Sequence, residues 1–268
     1  MQQTRTTVSR VAGDFDYEAN GQGYSQQRRT DPKIAAFVYS AIGSARTVLN
    51  VGAGTGSYEP EDRYVLAVEP SPTMRAQRSP SSAPAISGVA EDLPLDDQSV
   101  DASMALITIH QWKDLAQGLN ELRRVTRGSI VVLTFDGEAL EGYWLTDYAP
   151  ELIAAERRRY PSIDWLCTSL GGGDRRVEAS AIPIPIDCTD GIIEAFYGRP
   201  ERLLDDAVRR AQSSWRFISK DIEARFISRL AEDLKTGAWD KRYGALRHQP
   251  TYEGSLRLIV SNPTEGAR

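Results

Sequence analysis

The sequence predicts an α/β protein built on a doubly wound, mostly parallel sheet. Strand-like and helix-like segments alternate as far as residue 136. A strand-like segment at 48–51, with two β-branched residues, leads directly into Gly-Ala-Gly-Thr-Gly at 52–56. Glycine permits a tight turn and the close approach of a ligand, and we expect this turn to lead toward a helix N-terminus, which favours negative charge. The turn is therefore predicted to hold the anionic end of a small ligand.

Composition narrows the class of protein. The chain has 268 residues, enough for one domain or one domain with a large insertion. Its net charge of -5 supplies no basic field, so we expect no nucleic-acid partner. Only Cys167 and Cys188 occur, which fits a reduced cytoplasmic protein. We identify no signal peptide, and the apolar run near 104–109 is too short to cross a membrane.

The chain divides into four predicted segments: an N-terminal arm or cover at 1–30, a ligand-binding half of the sheet at 31–136, a helical insertion with a sixth strand at 137–250, and a final strand with a tail at 251–268. The arm has two interpretations. It is either a mobile segment with a few packed aromatics, or an ordered cover in which Tyr24 and Arg28 reach an anionic group.

The first half contains clear element boundaries. Asp31 followed by proline predicts a helix start, and Gly43 its end. The second strand, at 64–68, ends at Glu69, seventeen residues after Gly52. A carboxylate there can accept hydrogen bonds from both hydroxyls of a ribose, although a solvated acid at a strand end is the plainer interpretation.

A histidine follows the predicted fourth strand. That strand lies within 100–107, and a helix over 115–125 and a buried strand over 130–135 come after it. His110 therefore stands at the ligand-binding edge of the sheet and is the candidate general base. A structural histidine satisfied by backbone is the alternative. His248, in the insertion, is the weaker candidate.

The second half changes rhythm. Residues 137–172 and 189–248 are predicted to be largely helical, 177–186 an edge or irregular strand, and 255–260 the last strand. The Gly-Gly-Gly-Asp at 171–174 imitates a phosphate loop, but no strand precedes it and no helix follows. We interpret it as a plain turn.

Aromatic and basic side chains of the insertion are candidates for substrate contacts. Tyr143, Trp144 and Tyr148 follow the fifth strand and would line a substrate pocket, yet aromatics at helical spacing are also typical of a core. The three arginines at 157–159 are interpreted as a solvated helix face rather than an anion site.

Together these motifs resemble the class I S-adenosylmethionine-dependent methyltransferases, in particular the bacterial small-molecule branch near the ubiquinone-biosynthesis-like and type 11 enzymes. The matching segments occur in the family's order: 48–56, 69–71, 90–94, 100–112 and the unit ending at 135–136. Residues 184–191 also resemble a segment of bacterial relatives. The resemblance implies a seven-stranded Rossmann-like methyltransferase sheet with a helical lid, and S-adenosyl-L-methionine as cofactor.

The resemblance also implies contacts along the whole cofactor. Tyr24 and Arg28 would lie over the cofactor, and Asn50 at the strand end. Gly52, Ala53 and Gly54 would lie against the methionine, with the backbone at Ala105 or Leu106 facing its ammonium group. Glu69 would bind the ribose, and Met74, Ala90 and Glu91 would lie at the adenine.

Two positions depart from the family pattern. Asn50 stands where the family usually has an acid, and Val89 where an Asp is frequent. An amide can still form hydrogen bonds, but it brings no charge to the ammonium.

The expected activity is metal-independent methyl transfer, by in-line displacement, to a small hydrophobic acceptor of natural-product type. Two alternatives are a nicotinamide-dependent oxidoreductase and a non-catalytic binding module with the same fold. The first needs G-x-G-x-x-G or A, and Ser57 occupies the last position. The methylated atom and the oligomeric state are open, since the arm would cover either its own site or a neighbour's in a homo-oligomer.

Overall fold

The computed structural model describes residues 15, 16, 18, 21 and 24–264. Most of the predicted arm and the end of the predicted tail, at 1–14, 17, 19–20, 22–23 and 265–268, lie outside the described residues.

The described residues form a sheet of seven strands and a separate pair. The sheet strands are β1 (Thr47–Val51), β2 (Tyr64–Val68), β3 (Ala85–Ile86), β4 (Ala102–Leu106), β5 (Ile130–Phe135), β6 (Arg175–Ala181) and β9 (Leu256–Pro263), while β7 (Ile184–Pro185) and β8 (Thr251–Tyr252) form the pair. The order across the sheet is β3-β2-β1-β4-β5-β9-β6. Strands β1 to β5 are parallel, and β9 is antiparallel to both of its neighbours. This confirms the predicted fold class.

The described helices are short apart from three. They are α1 (Tyr24–Gln27), α2 (Pro32–Ile42), α3 (Pro72–Ala76), α4 (Leu115–Val125), α5 (Leu145–Tyr148), α6 (Pro150–Arg157), α7 (Ile163–Leu170), α8 (Asp206–Arg210), α9 (Lys220–Thr236) and α10 (Ala238–Tyr243). Single 3₁₀ turns lie at Ile109–Gln111, Ala139–Gly142, Ile193–Phe196, Pro200–Leu204, Ser213–Phe217 and Gly244–His248. No helix in this part of the chain has the length and apolar character that crossing a bilayer requires.

Helix ends follow the local sequence signals. The Asp31 carboxylate accepts hydrogen bonds from the backbone N–H groups of Lys33 (2.9 Å) and Ile34 (3.1 Å), which caps α2 where predicted. Ser219 caps α9, and Gly237 ends it in the left-handed conformation, at a φ of 75°.

The glycine turn does not lead into a helix, so that expectation is wrong. Residues 52–63 form only turns between β1 and β2. Gly52, Gly54 and Gly56 all have positive φ, as does Tyr58. Left-handed residues interrupt the right-handed geometry that α-helical hydrogen bonds need. A helix dipole is therefore not available to attract an anion at this turn.

The two faces of the sheet are covered differently. Val48 and Met104 pack in one cluster with α2 and the helices of the insertion, whereas Leu49 and Ala105 pack in another with α4 and α7. The insertion predicted at 137–250 thus shares a continuous core with the sheet. The predicted edge strand is confirmed, because β6 pairs only with β9.

The arginine run at 157–159 is only partly solvated. Arg158 is exposed. In contrast, Arg159 donates to the Glu156 carboxylate at 2.8 Å, with both side chains 6% exposed, and lies over the ring of Phe217. The prediction of a solvated face is wrong for Arg159, because Glu156 of the adjoining helix α6 pairs with it and the 3₁₀ turn at Ser213–Phe217 packs over it.

Candidate functional site

A cavity of about 450 Å³ opens at the carboxyl ends of β1, β2 and β4. It lies where the strand order reverses between β1 and β4, which is where ligands bind in sheets of this kind. Eleven of the twelve residues predicted to hold a cofactor line it: Tyr24, Arg28, Asn50, Gly52, Ala53, Gly54, Glu69, Met74, Ala90, Glu91 and Leu106. The fold therefore brings together residues from five separate segments of the chain.

The Glu69 carboxylate is fixed at the end of β2. Its Oε2 accepts a hydrogen bond from the N–H of Gly54, and its Oε1 one from the N–H of Ser71, both at 2.8 Å. Burial raises the pKa of Glu69, while these two N–H groups act in the opposite direction. Each oxygen keeps a second lone pair, so the carboxylate can still accept hydrogen bonds from two neighbouring hydroxyls.

The glycine turn packs directly on the loop that follows β4. A Cβ at Gly52 would overlap the side chain of Thr108. The neighbouring Ile107 has a φ of 53°, a strained conformation for a β-branched residue, and its N–H donates to the carbonyl of Leu133 at 2.7 Å. The hydrogen bond to β5 thus maintains this strained backbone conformation at the wall of the cavity.

The predicted adenine end is tied to the start of α4. Glu91 Oε1 accepts hydrogen bonds from the N–H groups of Lys113 (2.6 Å) and Asp114 (3.1 Å). One carboxylate oxygen of Glu91 is therefore already engaged by backbone. Met74 is buried and packs near the glycine turn, and Ala90 forms the adjoining wall.

The two backbone candidates for the ammonium lie differently. Ala105 is buried inside β4, opposite Val132 of β5, and does not line the cavity. Leu106 is the last residue of β4 and does line it. Of the pair left open by the sequence, Leu106 has the accessible position.

The described part of the arm covers the cavity of its own chain. Arg28 Nε donates to Asp190 Oδ1 at 2.5 Å, and the Tyr58 hydroxyl donates to the other Asp190 oxygen at 2.9 Å. The Arg28 guanidinium also lies 5.3 Å from the centre of the Tyr24 ring. Three segments distant in sequence are therefore joined through one buried carboxylate.

A second, smaller cavity of about 30 Å³ adjoins the first. The two share Phe15, Tyr24, Arg28 and Ile107 as lining residues. His110 lines the second cavity and not the first. His110 therefore lies on the far side of the wall that separates the second cavity from the larger one.

His110 is available to a ligand as a neutral imidazole. Its Nδ1 is buried and has no hydrogen-bond partner among the described residues. Its ring meets the edge of Tyr160 at 5.0 Å. Burial, with the positive charges of Arg159 and Arg28, holds the pKa of His110 well below its usual range. The side chain can donate or accept one hydrogen bond without carrying charge at neutral pH.

The aromatic residues predicted to contact substrate lie in the core. Tyr143, Trp144 and Tyr148 are each less than 5% exposed and line neither cavity. The Trp144 ring packs edge-on against Tyr148 and Trp239, with both centroid distances 5.6 Å. This placement agrees with the alternative interpretation of their spacing, as core residues, because helices α9 and α10 close over them.

Several lining residues had no signal in the sequence. They include Tyr58, Thr108, Gln111, Trp112 and Asp190. Thr108, Gln111 and Trp112 lie in the matching segment 100–112 and Asp190 in 184–191, but none of them was assigned a contact; Tyr58 lies in neither segment. Among the described residues, no group of three or more His, Cys, Asp or Glu side chains is arranged to hold a metal ion.

Comparisons of the sequence with known proteins match it to methyltransferases. A family model described as a methyltransferase domain matches residues 49–133. An uncharacterized methyltransferase of Mycobacterium tuberculosis is 39% identical over 90 residues, which are 31% of this chain and only 37% of that relative.

The solved structures match over more of the chain. A protein of Anabaena variabilis, provisionally described as a methyltransferase from an antibiotic biosynthesis pathway, is 32% identical with a TM-score of 0.83, covering 89% of this chain and 100% of that one. An S-adenosylmethionine-dependent methyltransferase of Thermotoga maritima is 17% identical with a TM-score of 0.56, covering 92% and 98%, and supports the fold alone.

Proposed function

Because the chain belongs to the class I S-adenosylmethionine-dependent methyltransferases, we propose that it transfers a methyl group from S-adenosylmethionine to a small molecule with an apolar body. The observation that carries this proposal is the meeting of the glycine turn and the buried Glu69 carboxylate in one cavity. The ubiquinone-biosynthesis-like branch, the cytoplasmic location and the oligomeric state remain predictions.

The cavity fits the cofactor in size and in chemistry. Its volume of about 450 Å³ suits a small-molecule ligand. Glu69 offers two oxygens to a ribose diol, and Gly52 leaves space that a side chain would fill. We assign Ala90 and Met74 to the adenine on the same basis, since both line the cavity beyond Glu69.

The methionine end of the cofactor would be bound by the N-terminal arm and by residues at the end of β4. Arg28 commits its Nε–H to Asp190, which leaves the remaining N–H groups of its guanidinium for a carboxylate. The backbone of Leu106 and the side chain of Asn50 would face the ammonium. These groups orient the ligand and together exclude water from the reacting end.

When bound, the cofactor supplies a sulfonium methyl group that is already electrophilic. The chain's task is to orient the acceptor and to keep water away. Ile107, Tyr24 and Arg28 form the boundary between the two cavities, and the reacting group of an acceptor at this boundary would meet the methyl group there. His110 would hold, or take the proton from, the reacting atom of that acceptor.

The second cavity, of about 30 Å³, has room for little more than the reacting group of an acceptor, and its lining suits a polar reacting group on an apolar body. Phe15, Ile107, Phe135 and Ile193 supply apolar walls, and His110 the unpartnered polar atom. The antibiotic pathway of the Anabaena relative supports a natural-product type of acceptor. We propose transfer without a metal, and activity that is lost in chelator and restored by magnesium would contradict this.

The decisive experiment is calorimetric titration with S-adenosylmethionine, followed by mass spectrometry for S-adenosylhomocysteine during incubation with a panel of small phenols, amines and carbonyl acids. We expect binding and acceptor-dependent turnover. A chain that does not bind S-adenosylmethionine would overturn the proposal. Binding without turnover under any acceptor would favour the non-catalytic module.

A further inference from the structure

We propose that Glu59 and Arg78 are positioning residues, which orient the amide of Asn50 so that its carbonyl oxygen receives the ammonium end of the cofactor. The inference rests on the proposed function and concerns the same cavity. It also accounts for the departure at Asn50, where the family usually has an acid.

A buried hydrogen-bonded unit lies directly behind the cavity wall. Asn50 Nδ2 donates to Glu59 Oε1 at 3.0 Å. Arg78 Nη2 donates to both oxygens of Glu59, at 2.8 Å and 2.7 Å. The Arg78 and Glu59 side chains are 5% and 7% exposed. Since neither charge is solvated, each depends on the other, and the unit has one geometry.

The same arginine holds the glycine turn. Arg78 Nη1 donates to the carbonyl oxygens of Ala53 (3.5 Å) and Gly54 (3.4 Å). A Cβ at Gly56 would lie 3.3 Å from both Arg78 and Glu59. The Ala53 carbonyl also accepts a turn hydrogen bond from the N–H of Gly56 at 2.9 Å. No helix follows this turn, so Arg78 supplies a side-chain donor where helical hydrogen bonds are absent. The pair therefore fixes the backbone that meets the ligand.

The orientation of Asn50 follows from its partner. Glu59 is only an acceptor when ionised, so the amide must present its nitrogen to Glu59 and keep Oδ1 for another donor. Asn50 lines the cavity, whereas Glu59 and Arg78 do not. A ligand ammonium would thus meet a neutral carbonyl oxygen, backed by an ion pair without net charge.

An acid at position 50 would conflict with this arrangement. The carboxylate of an Asn50→Asp variant would face Glu59 at the present hydrogen-bond distance, with no proton between them. We therefore expect the family's usual acid to be harmful in this chain. Replacing Glu59 by Gln in the same variant should relieve the conflict, because the Gln amide donates to the new carboxylate.

The test measures binding of two probes by calorimetry. S-adenosylhomocysteine carries the amino-acid end, and 5′-methylthioadenosine lacks it. We expect Asn50→Asp to weaken the binding of S-adenosylhomocysteine about tenfold and to leave the affinity for 5′-methylthioadenosine almost unchanged. The double variant Asn50→Asp/Glu59→Gln should recover affinity to within about threefold of the original chain.

The control is Glu61→Gln, an exposed acid two residues from Glu59, which should alter neither probe. Thermal unfolding establishes that each variant is folded. Tighter or unchanged S-adenosylhomocysteine binding in Asn50→Asp would overturn the inference, as would equal loss of both probes or a double variant no better than the single one. An original chain that binds neither probe would instead overturn the proposed function itself.

Discussion

The cofactor cavity and the aromatic cluster of the insertion (Tyr143, Trp144, Tyr148 and Trp239) differ in how completely the protein engages their side chains. In the cavity, Glu69, Arg28 and Asn50 each have part of their hydrogen-bonding capacity engaged by protein and part facing the open volume. In the cluster, Trp144 and Trp239 are enclosed by other rings. The comparison teaches that polar groups engaged only in part by the protein mark the binding region, whereas aromatic spacing alone does not.

The largest expected effect is on stability, at the aromatic cluster of the insertion. Trp239 is fully buried, and Trp239→Ala should lower the free energy of unfolding by about 3–5 kcal/mol. Urea unfolding measures this loss. At temperatures where the variant is folded, its affinity for S-adenosylhomocysteine should stay unchanged. A loss of affinity without a loss of stability would place the cluster at the ligand instead.

The next effect concerns Glu194, which is buried beside the cluster and accepts hydrogen bonds from the N–H and hydroxyl of Ser255. Burial raises its pKa from 4.5 to about 7. The folded state then binds the proton more tightly than the unfolded state. Stability should therefore fall as pH rises from about 4.5 to about 7, by about 3 kcal/mol in all.

The Glu194→Gln variant isolates this contribution, because Gln does not titrate. Unfolding by urea at pH 5 and pH 8 should show a smaller decrease with pH in the variant than in the original chain. Equal pH dependence in both would show that Glu194 remains ionised in the fold.

A smaller effect is expected on binding at the open region. Glu69→Ala should weaken the binding of S-adenosylhomocysteine about 30-fold, since two hydrogen bonds from the ligand to the carboxylate are lost. Calorimetry measures this, with Glu61→Ala as an exposed control. Unchanged affinity would show that the ribose does not lie at Glu69.

The smallest effect separates packing from substrate contact. The Tyr148 hydroxyl donates to Asp233 Oδ2 at 2.7 Å, so Tyr148→Phe should cost about 1 kcal/mol of stability and leave methyl transfer unchanged. Urea unfolding and product formation are compared in the same preparation. Reduced transfer at unchanged stability would restore the role in substrate binding that the sequence suggested for Tyr148.

Much of the site follows from short stretches of sequence. The strand before the glycine turn, Glu69 at the end of the next strand and the cap of α2 depend on neighbouring residues, and all were identified from the chain alone. The contacts at the ribose and adenine are still predictions. The helix expected after the glycine turn was wrong because left-handed residues at alternate positions, Gly52, Gly54, Gly56 and Tyr58, override the usual pattern.

The sequence by itself determined the order of strands and helices, the glycine turn and the acid at Glu69, since each depends on local propensity and on the periodicity of apolar residues. Only the tertiary structure decided that Glu59 and Arg78, nineteen residues apart, lie behind Asn50, and that His110 borders a second cavity. It also decided that the aromatics of the insertion are core. Such partners are brought together by packing between distant segments, for which a single sequence carries no local signal.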